Sequence, residues 1–107
     1  MMIKLKDAVT KLTENELKEA NKNFLQFNSD HEGYAVILEE FEEAKDELDS
    51  FANSKEDLWR TIKNDCIDLE LVDIMKDNAM DMACEAIQTA AMCQKFLDSW
   101  EKRKSLE

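Results

Sequence analysis

The near absence of turn-forming residues constrains this chain most. Its 107 residues include no proline and a single glycine, Gly33. Tight turns between strands depend on such residues, so a many-stranded sheet would need far more of them. The sequence therefore predicts an all-α fold. Because 107 residues with 44% hydrophobic content suit one compact domain, we place that domain at residues 1–105. Leu106 and Glu107 are set aside, because a cloning scar that joins a chain to a tag has this form.

The net charge disfavours several classes of partner. With 25 Asp and Glu against 14 Lys and Arg, the formal charge is −11 at pH 7. Such a field repels phosphate backbones and anionic lipids, so we expect no direct nucleic-acid or membrane binding. No apolar run approaches the ~20 residues that span a bilayer, and the first four residues lack the apolar block of a signal peptide. We therefore expect a cytoplasmic protein.

The cysteines do not indicate a site. There are three, an odd number, and none belongs to a Cys-x-x-Cys motif, which argues against a disulfide framework or a zinc site. Their apolar neighbours predict reduced side chains that pack as small hydrophobes; they are Cys66, Cys84 and Cys93.

Capping signals and apolar spacing divide the chain into about four helices. Residues 13–16 and 29–32 both have the Ser/Thr-x-x-Glu form of a capping box, which predicts a helix start at each. A third start is predicted at Ser54 for a short helix, and the polar pair Asn64-Asp65 should loosen the chain after it. From about residue 69 to 104 the helical spacing continues without a breaker. We expect a helical bundle.

The last predicted helix is too long for a small domain. At 1.5 Å per residue it would measure roughly 50 Å, so either it breaks or a second subunit covers it. Four alanines on it are small enough to let another helix approach closely: Ala83, Ala86, Ala90 and Ala91. These favour a bundle completed by oligomerisation, as a homodimer or homotetramer.

Two helix flanks carry converging carboxylates. Glu40, Glu43 and Glu47 project on the same side of one apolar stripe. The last helix repeats the arrangement with Asp77, Asp81, Glu85, Gln88 and Lys95. Packed together, the two flanks would line a pocket with oxygen atoms that suits Mg²⁺, with Mn²⁺ as an alternative, and a substrate phosphate. The competing interpretation is that these are solubilising charges of a chain that is 36% charged.

Two segments resemble a known family. The run Phe-Asn-Ser-Asp-His-Glu-Gly-Tyr-Ala-Val-Ile-Leu-Glu-Glu-Phe-Glu-Glu at residues 27–43, followed by Glu-Ala-Ile-Gln-Thr-Ala-Ala-Met at residues 85–92, is similar to small phage and prophage MazG-like proteins. These belong to the all-α nucleotide pyrophosphohydrolases. The resemblance implies an oligomeric, Mg²⁺-dependent enzyme that hydrolyses a nucleoside triphosphate, NTP or dNTP, to the monophosphate and pyrophosphate.

The resemblance also implies roles for individual residues. The family's Glu-Glu-x-x-Glu run falls on Glu39, Glu40 and Glu43, which would hold the metal, with Glu40 and Glu43 taking part in catalysis. The family's Glu-x-x-Asp falls on Glu85 and Gln88, where Glu85 would both hold the metal and take part in catalysis. Gln88 offers a carbonyl oxygen to metal or substrate but no charge, which weakens a metal site. A degenerate relative that still binds nucleotide therefore stays open.

Three further positions complete the candidate site. Asp81 lies one turn before Glu85 and is the candidate for the missing charge. Lys95 is a candidate for binding the triphosphate, because the sequence has no Gly-rich phosphate loop. A literal Glu-x-x-Asp at residues 70–73 ranks second to the motif at Glu85, because it precedes the alanine-rich segment that carries the resemblance.

Two functions of other classes compete with the enzyme. A chain of charge −11 can imitate nucleic acid, so one alternative is a non-enzymatic acidic protein of phage type that binds a basic surface of a host factor. The other is a plain helical oligomerisation module. Gln88 favours both alternatives, whereas the predicted convergence of Glu40, Glu43 and Glu85 favours the enzyme.

Overall fold

The computed structural model describes residues 2–106, so Glu107 of the predicted scar lies outside the described part. Three helices fill most of that span: α1 is Met2–Ala20, α2 is Asp30–Lys63 and α3 is Leu69–Ser105. Residues 2–106 contain no strand. The predicted all-α class is therefore confirmed, while three helices are present in the described chain instead of about four.

Helix α1 begins earlier than predicted. The capping box at residues 13–16 is wrong as a helix start, because Thr13 lies inside α1 and its Oγ1 donates to the Val9 carbonyl at 2.8 Å. Thr10 does the same with the Lys6 carbonyl at 2.9 Å. A threonine hydroxyl can bond the carbonyl four residues back as readily as it caps a helix start. Since nothing before Thr13 breaks the helix, its hydroxyl bonds the carbonyl four residues back instead of capping a helix start.

Helix α2 begins where predicted but continues past the predicted third start. Ser29 Oγ accepts a hydrogen bond from the Glu32 backbone N–H at 3.1 Å, which is the capping contact that the box at residues 29–32 requires. Ser54 is a half-buried position inside α2 and begins no new helix. The predicted separate short helix is therefore wrong, because its residues simply extend α2.

The link between α2 and α3 is built from local capping contacts. Asp65 adopts a left-handed backbone angle of 52°, and the Cys66 N–H donates to the Thr61 carbonyl at 3.0 Å. This pairing is a Schellman motif, which satisfies the last carbonyls of α2. Asp68 Oδ1 then accepts from the Glu70 N–H at 3.0 Å and caps α3. The predicted loosening at Asn64-Asp65 and the long unbroken last helix are both confirmed.

The chain divides into two compact units, and the first comprises the described residues up to Phe41 together with those from Ala86 onward. Its buried positions include Phe27, Gly33 and Ala91. A β-carbon added at Gly33 would lie 2.5 Å from Phe96 Cδ2 and 3.0 Å from Phe27 Cδ2, so two aromatic rings pack directly on the glycine. Only a residue without a side chain permits this approach of α2 to α3.

Three polar residues of α3 hold the loop before α2 in place. Lys95 is 6% exposed, and its Nζ donates to the Phe24 carbonyl at 2.7 Å. Ser99 Oγ accepts from the Phe27 N–H at 2.8 Å, and Arg103 donates to the Phe27 carbonyl at 3.1 Å and to the Asp30 carboxylate. Residues spaced by four lie on one helix face, so α3 satisfies the loop backbone along a single line.

The second unit, Glu42–Glu85, contains parts of α2 and α3. Its half-buried positions recur every three or four residues, as in a coiled-coil seam. Several of these seam positions are polar. Asn78 Nδ2 donates to Glu47 Oε2 at 3.1 Å, and Ser50 Oγ donates to Asn78 Oδ1 at 3.3 Å. This small network satisfies polar groups inside the unit.

Few hydrophobic residues are fully buried within the described chain, and many more are half-buried. Phe27 and Ala91 are its buried hydrophobic residues, whereas many large ones, including Tyr34, Phe41 and Leu97, are exposed. The prediction that the three cysteines pack as small hydrophobes is wrong, because Cys66, Cys84 and Cys93 are all exposed. Cys84 and Cys93 lie on α3, in the second and the first unit respectively.

Candidate functional site

Three glutamates of α2 and α3 come together. Glu40, Glu43 and Glu85 each offer a carboxylate oxygen, and these oxygens lie within 4.8 Å of one another. Glu43 and Glu85 belong to the second unit, and Glu40 is one turn earlier on the same uninterrupted α2. Glu40 and Glu85 are half-buried and Glu43 is exposed. The three residues that the sequence marked as catalytic are thus neighbours.

The position of these glutamates in their helices explains their burial. The half-buried side of α2 continues through Ile37, Glu40 and Ala44 at steps of three and four residues. On α3 the corresponding steps include Met82 and Glu85. Two carboxylates therefore occupy positions that would normally hold apolar side chains. Carboxylates that are partly removed from water and near one another are stable only where other groups, such as hydrogen-bond donors or a cation, offset their charge.

The donor set is suited to a hard divalent cation. All three ligand atoms are carboxylate oxygens, with no nitrogen or sulfur among them. Mg²⁺ and Mn²⁺ prefer such oxygen donors, whereas zinc sites are usually built from histidine and cysteine. Mg²⁺ also retains several waters, and the exposure of Glu43 leaves room for them. The residues present therefore fit Mg²⁺ or Mn²⁺.

Gln88 lies beside Glu40 in a cleft of the first unit. The cleft has a volume of about 320 Å³, and its lining includes Glu16, Glu40, Gln88 and Met92. Its lining combines carboxylate and amide groups with apolar side chains. That combination can bind a small polar molecule in a fixed orientation.

Glu16 also lines this cleft, although it was not predicted as a site residue. It is half-buried on α1, at helical spacing from Val9, Thr13 and Ala20 on the inner side of that helix. The signal that could have identified it is this spacing. The box at residues 13–16 instead predicts a backbone contact for this glutamate, at a helix start that does not exist.

Other predicted metal ligands lie elsewhere on their helices. Glu39 and Asp81 are exposed, and within residues 2–106 neither belongs to the group of close carboxylates around Glu40. Glu39 is about 100° around α2 from Glu40, which directs it away from the half-buried side. The lower-ranked motif at residues 70–73 is likewise outside this group, with Glu70 and Asp73 both exposed in the first turns of α3.

Lys95 is engaged by the loop before α2. Its ammonium group donates to the Phe24 carbonyl and lies 5.0 Å from the centre of the Phe27 ring. Lys95 does not line the cleft that contains Gln88. To reach a triphosphate, its side chain would have to give up both contacts. Its role in binding substrate stays a prediction.

Comparison with known proteins gives no relative: no family model matches the chain, and neither a curated protein nor a solved structure is similar to it. Among residues 2–106, the helices lack the length of apolar sequence needed to cross a bilayer.

Proposed function

We propose that this protein is a Mg²⁺-dependent nucleoside triphosphate pyrophosphohydrolase that works as a homo-oligomer in the cytoplasm. The observation that carries the proposal is the meeting of Glu40, Glu43 and Glu85 oxygens within 4.8 Å beside a cleft that Glu40 and Gln88 share. A charge of −11 repels a free triphosphate, so a bound divalent cation is the simplest way to admit one.

The reaction is hydrolysis between the α- and β-phosphates. Water attacks the α-phosphorus, the bond to the bridging oxygen breaks, and pyrophosphate leaves while the monophosphate keeps the oxygen of the water. Glu40, Glu43 and Glu85 would hold the ion. When bound, the ion supplies charge neutralisation at the phosphates and acidifies water.

The residues of the chain contribute binding and proton transfer. Glu40 faces the cleft and is half-buried, so its carboxylate can accept a proton from attacking water that is held beside it. Gln88 can donate its amide N–H to a phosphate oxygen and orient the substrate along the cleft. Glu39 is the further metal ligand that the family resemblance implies, and Asp81 is the candidate for the missing charge. Both are exposed outside the close group and would have to move to contribute.

The first test is a metal-dependent thermal shift. Mg²⁺ or Mn²⁺ at a hundred times its dissociation constant should stabilise the chain by about 2.7 kcal/mol, a shift of several degrees in melting temperature. Glu40→Gln should abolish the shift. Glu42→Gln is the matched control, because Glu42 is exposed on the same helix outside the close group. An unchanged wild-type melting curve in excess metal would count against the site.

The second test measures turnover directly. Wild type is incubated with a panel of NTPs and dNTPs plus Mg²⁺, and pyrophosphate is assayed. We expect release from at least one nucleotide and none from Glu40→Gln. If the protein binds metal but releases pyrophosphate from no nucleotide, the proposed enzyme activity is refuted. Only the alternative of a degenerate relative that binds nucleotide without hydrolysing it then remains.

The oligomeric part of the proposal is supported by exposed apolar side chains. Tyr34, Leu97 and Trp100 are among the large apolar residues that are exposed in the first unit. Exposed apolar patches often mark contacts between proteins, so a homodimer or homotetramer is expected. A light-scattering mass near 12.5 kDa at micromolar concentration would refute this part.

The second candidate function is the non-enzymatic acidic protein that binds a basic partner. The neutral amide at Gln88 and the charge of −11 favour it. It predicts no metal-dependent shift, no pyrophosphate release and salt-sensitive binding to a basic protein, so the same two tests separate it from the enzyme.

A further inference from the structure

The cleft that contains Gln88 is also lined by side chains that the proposed hydrolysis does not use. They come from α1 and α3, and all of them belong to the first unit: Glu16, Glu19, Ala20, Ala91 and Met92. Ligand pockets usually have volumes of about 300–1,000 Å³. At about 320 Å³ this cleft is at the small end of that range, so it suits one ring system better than a whole nucleoside triphosphate.

The three carboxylates of the cleft differ in what engages them. Glu40 belongs to the proposed metal site. The side chain of Glu19 is 65% exposed, and its Oε1 accepts a hydrogen bond from Lys22 Nζ at 2.9 Å. Glu16 is half-buried, and within residues 2–106 it does not belong to the close group around Glu40. Its two oxygens are therefore the carboxylate acceptors best placed for a ligand that donates hydrogen bonds in the cleft.

The rest of the lining includes apolar side chains that suit a flat ring. Ala20 and Ala91 offer only methyl groups, and Ala91 is fully buried. Met92 is half-buried, and a thioether sulfur makes favourable contacts with aromatic rings. A charged triphosphate would gain little from these groups. Together with the Glu16 carboxylate they favour a planar heteroaromatic ring that donates hydrogen bonds from one edge.

We propose that this cleft binds the base of the nucleotide and selects guanine, whose edge donates two hydrogen bonds to the Glu16 carboxylate. Guanine presents a ring N–H and an amino group side by side, and one carboxylate can accept from both. In adenine and cytosine a ring nitrogen that only accepts lies beside the amino group, and in uracil and thymine the ring N–H lies between two carbonyls. Each of these bases would place a lone pair against the carboxylate. The inference rests on the proposed function, because the base belongs to the nucleotide whose phosphates would lie at Glu40.

The first test compares nucleotides that differ in one group. ITP keeps the ring N–H of GTP but lacks its amino group. With wild type and Mg²⁺, kcat/KM for pyrophosphate release should be at least about tenfold higher for GTP than for ITP, because a hydrogen bond to a charged group is among the stronger ones. UTP should be poorer than ITP.

A matched pair of variants assigns the selection to Glu16. Glu16→Gln should bring the ratio of kcat/KM for GTP to that for ITP close to one, because the amide has a single acceptor oxygen. A purely structural loss would instead lower both values equally and leave the ratio unchanged. Glu14→Gln should keep the wild-type ratio, because Glu14 is exposed on the same helix and does not line this cleft.

Binding measurements keep the inference testable without turnover and without a folded variant. Analogues of GTP and ITP with a methylene group in place of the oxygen between the α- and β-phosphates cannot release pyrophosphate. Calorimetry of wild type with Mg²⁺ should give a dissociation constant at least about tenfold lower for the guanine analogue than for the hypoxanthine analogue.

The outcomes separate base selection from hydrolysis. Pyrophosphate release at equal kcat/KM from GTP and ITP overturns the selection of guanine and leaves the enzyme. A preference for GTP that persists in Glu16→Gln overturns the role of Glu16. Selective binding of the guanine analogue without pyrophosphate release from any nucleotide supports the selection and refutes the enzyme. Failure of both analogues to bind refutes both proposals.

Discussion

Replacing Gly33 by alanine tests the closest packing in the first unit. An added β-carbon would lie 2.5 Å and 2.9 Å from two carbons of the Phe96 ring and 3.0 Å from Phe27 Cδ2. Carbon atoms in favourable contact are about 3.5–4.0 Å apart, so at least Phe96 must move. Phe27 is buried and cannot move freely in the other direction.

Two opposing effects determine the magnitude. Forcing an extra carbon into a packed site usually costs about 1–3 kcal/mol. Alanine gains about 1 kcal/mol over glycine in a helix interior, and less here because Gly33 lies in the first turn of α2. We therefore expect Gly33→Ala to lower the free energy of unfolding by about 1–2 kcal/mol. For a domain of this size the melting temperature should fall by roughly 5–10 °C.

The assay is thermal and urea unfolding followed by circular dichroism. Ala52→Gly, at an exposed position inside α2, measures the helix-propensity difference without a packing change. The double variant Gly33→Ala with Phe96→Ala removes the main clash, so Gly33→Ala should cost less in that background. A variant that is as stable as wild type or more so would refute the reasoning, because the rings would then move aside without cost.

Three other substitutions have expected outcomes. Lys95→Met should lower the free energy of unfolding by about 1.5–3 kcal/mol by removing the charged donor to the Phe24 carbonyl, and an unchanged urea midpoint would contradict this. Asn78→Ala should lower the free energy of unfolding by about 1–3 kcal/mol, because it leaves part-buried Glu47 without its amide donor. Asn78→Asp also adds a charge that repels Glu47, so the same urea assay should show a larger loss of stability. If a metal binds as proposed, Gln88→Asp should raise Mg²⁺ affinity in calorimetry, since charges 4 Å apart attract by about 4 kcal/mol at a dielectric of 20 before desolvation. Equal affinity would show that position 88 does not face the ion.

The fold class could be predicted because its signals are local. One glycine and no proline exclude a turn-rich sheet, and the boundaries at Ser29 and Asn64 depend on groups only a few residues apart. The helix starts predicted at Thr13 and Ser54 were wrong, although the signals used were also local. A Ser or Thr hydroxyl can cap the start of a helix, or it can lie inside a helix and bond a carbonyl of the preceding turn, as Thr13 does. The neighbouring residues in sequence do not distinguish the two cases.

The candidate site could likewise be predicted only in part. Helical spacing placed Glu40 and Glu43 on one flank, and the family resemblance selected Glu85 as their partner, so these carboxylates could be named from the residues alone. The proximity of Glu85 to them, the presence of Glu16 of α1 in the cleft with Glu40, and the engagement of Lys95 by the loop before α2 depend on tertiary packing. The reason is that periodicity determines which side of a helix a residue occupies, whereas the packing of helices distant in sequence determines what that side meets.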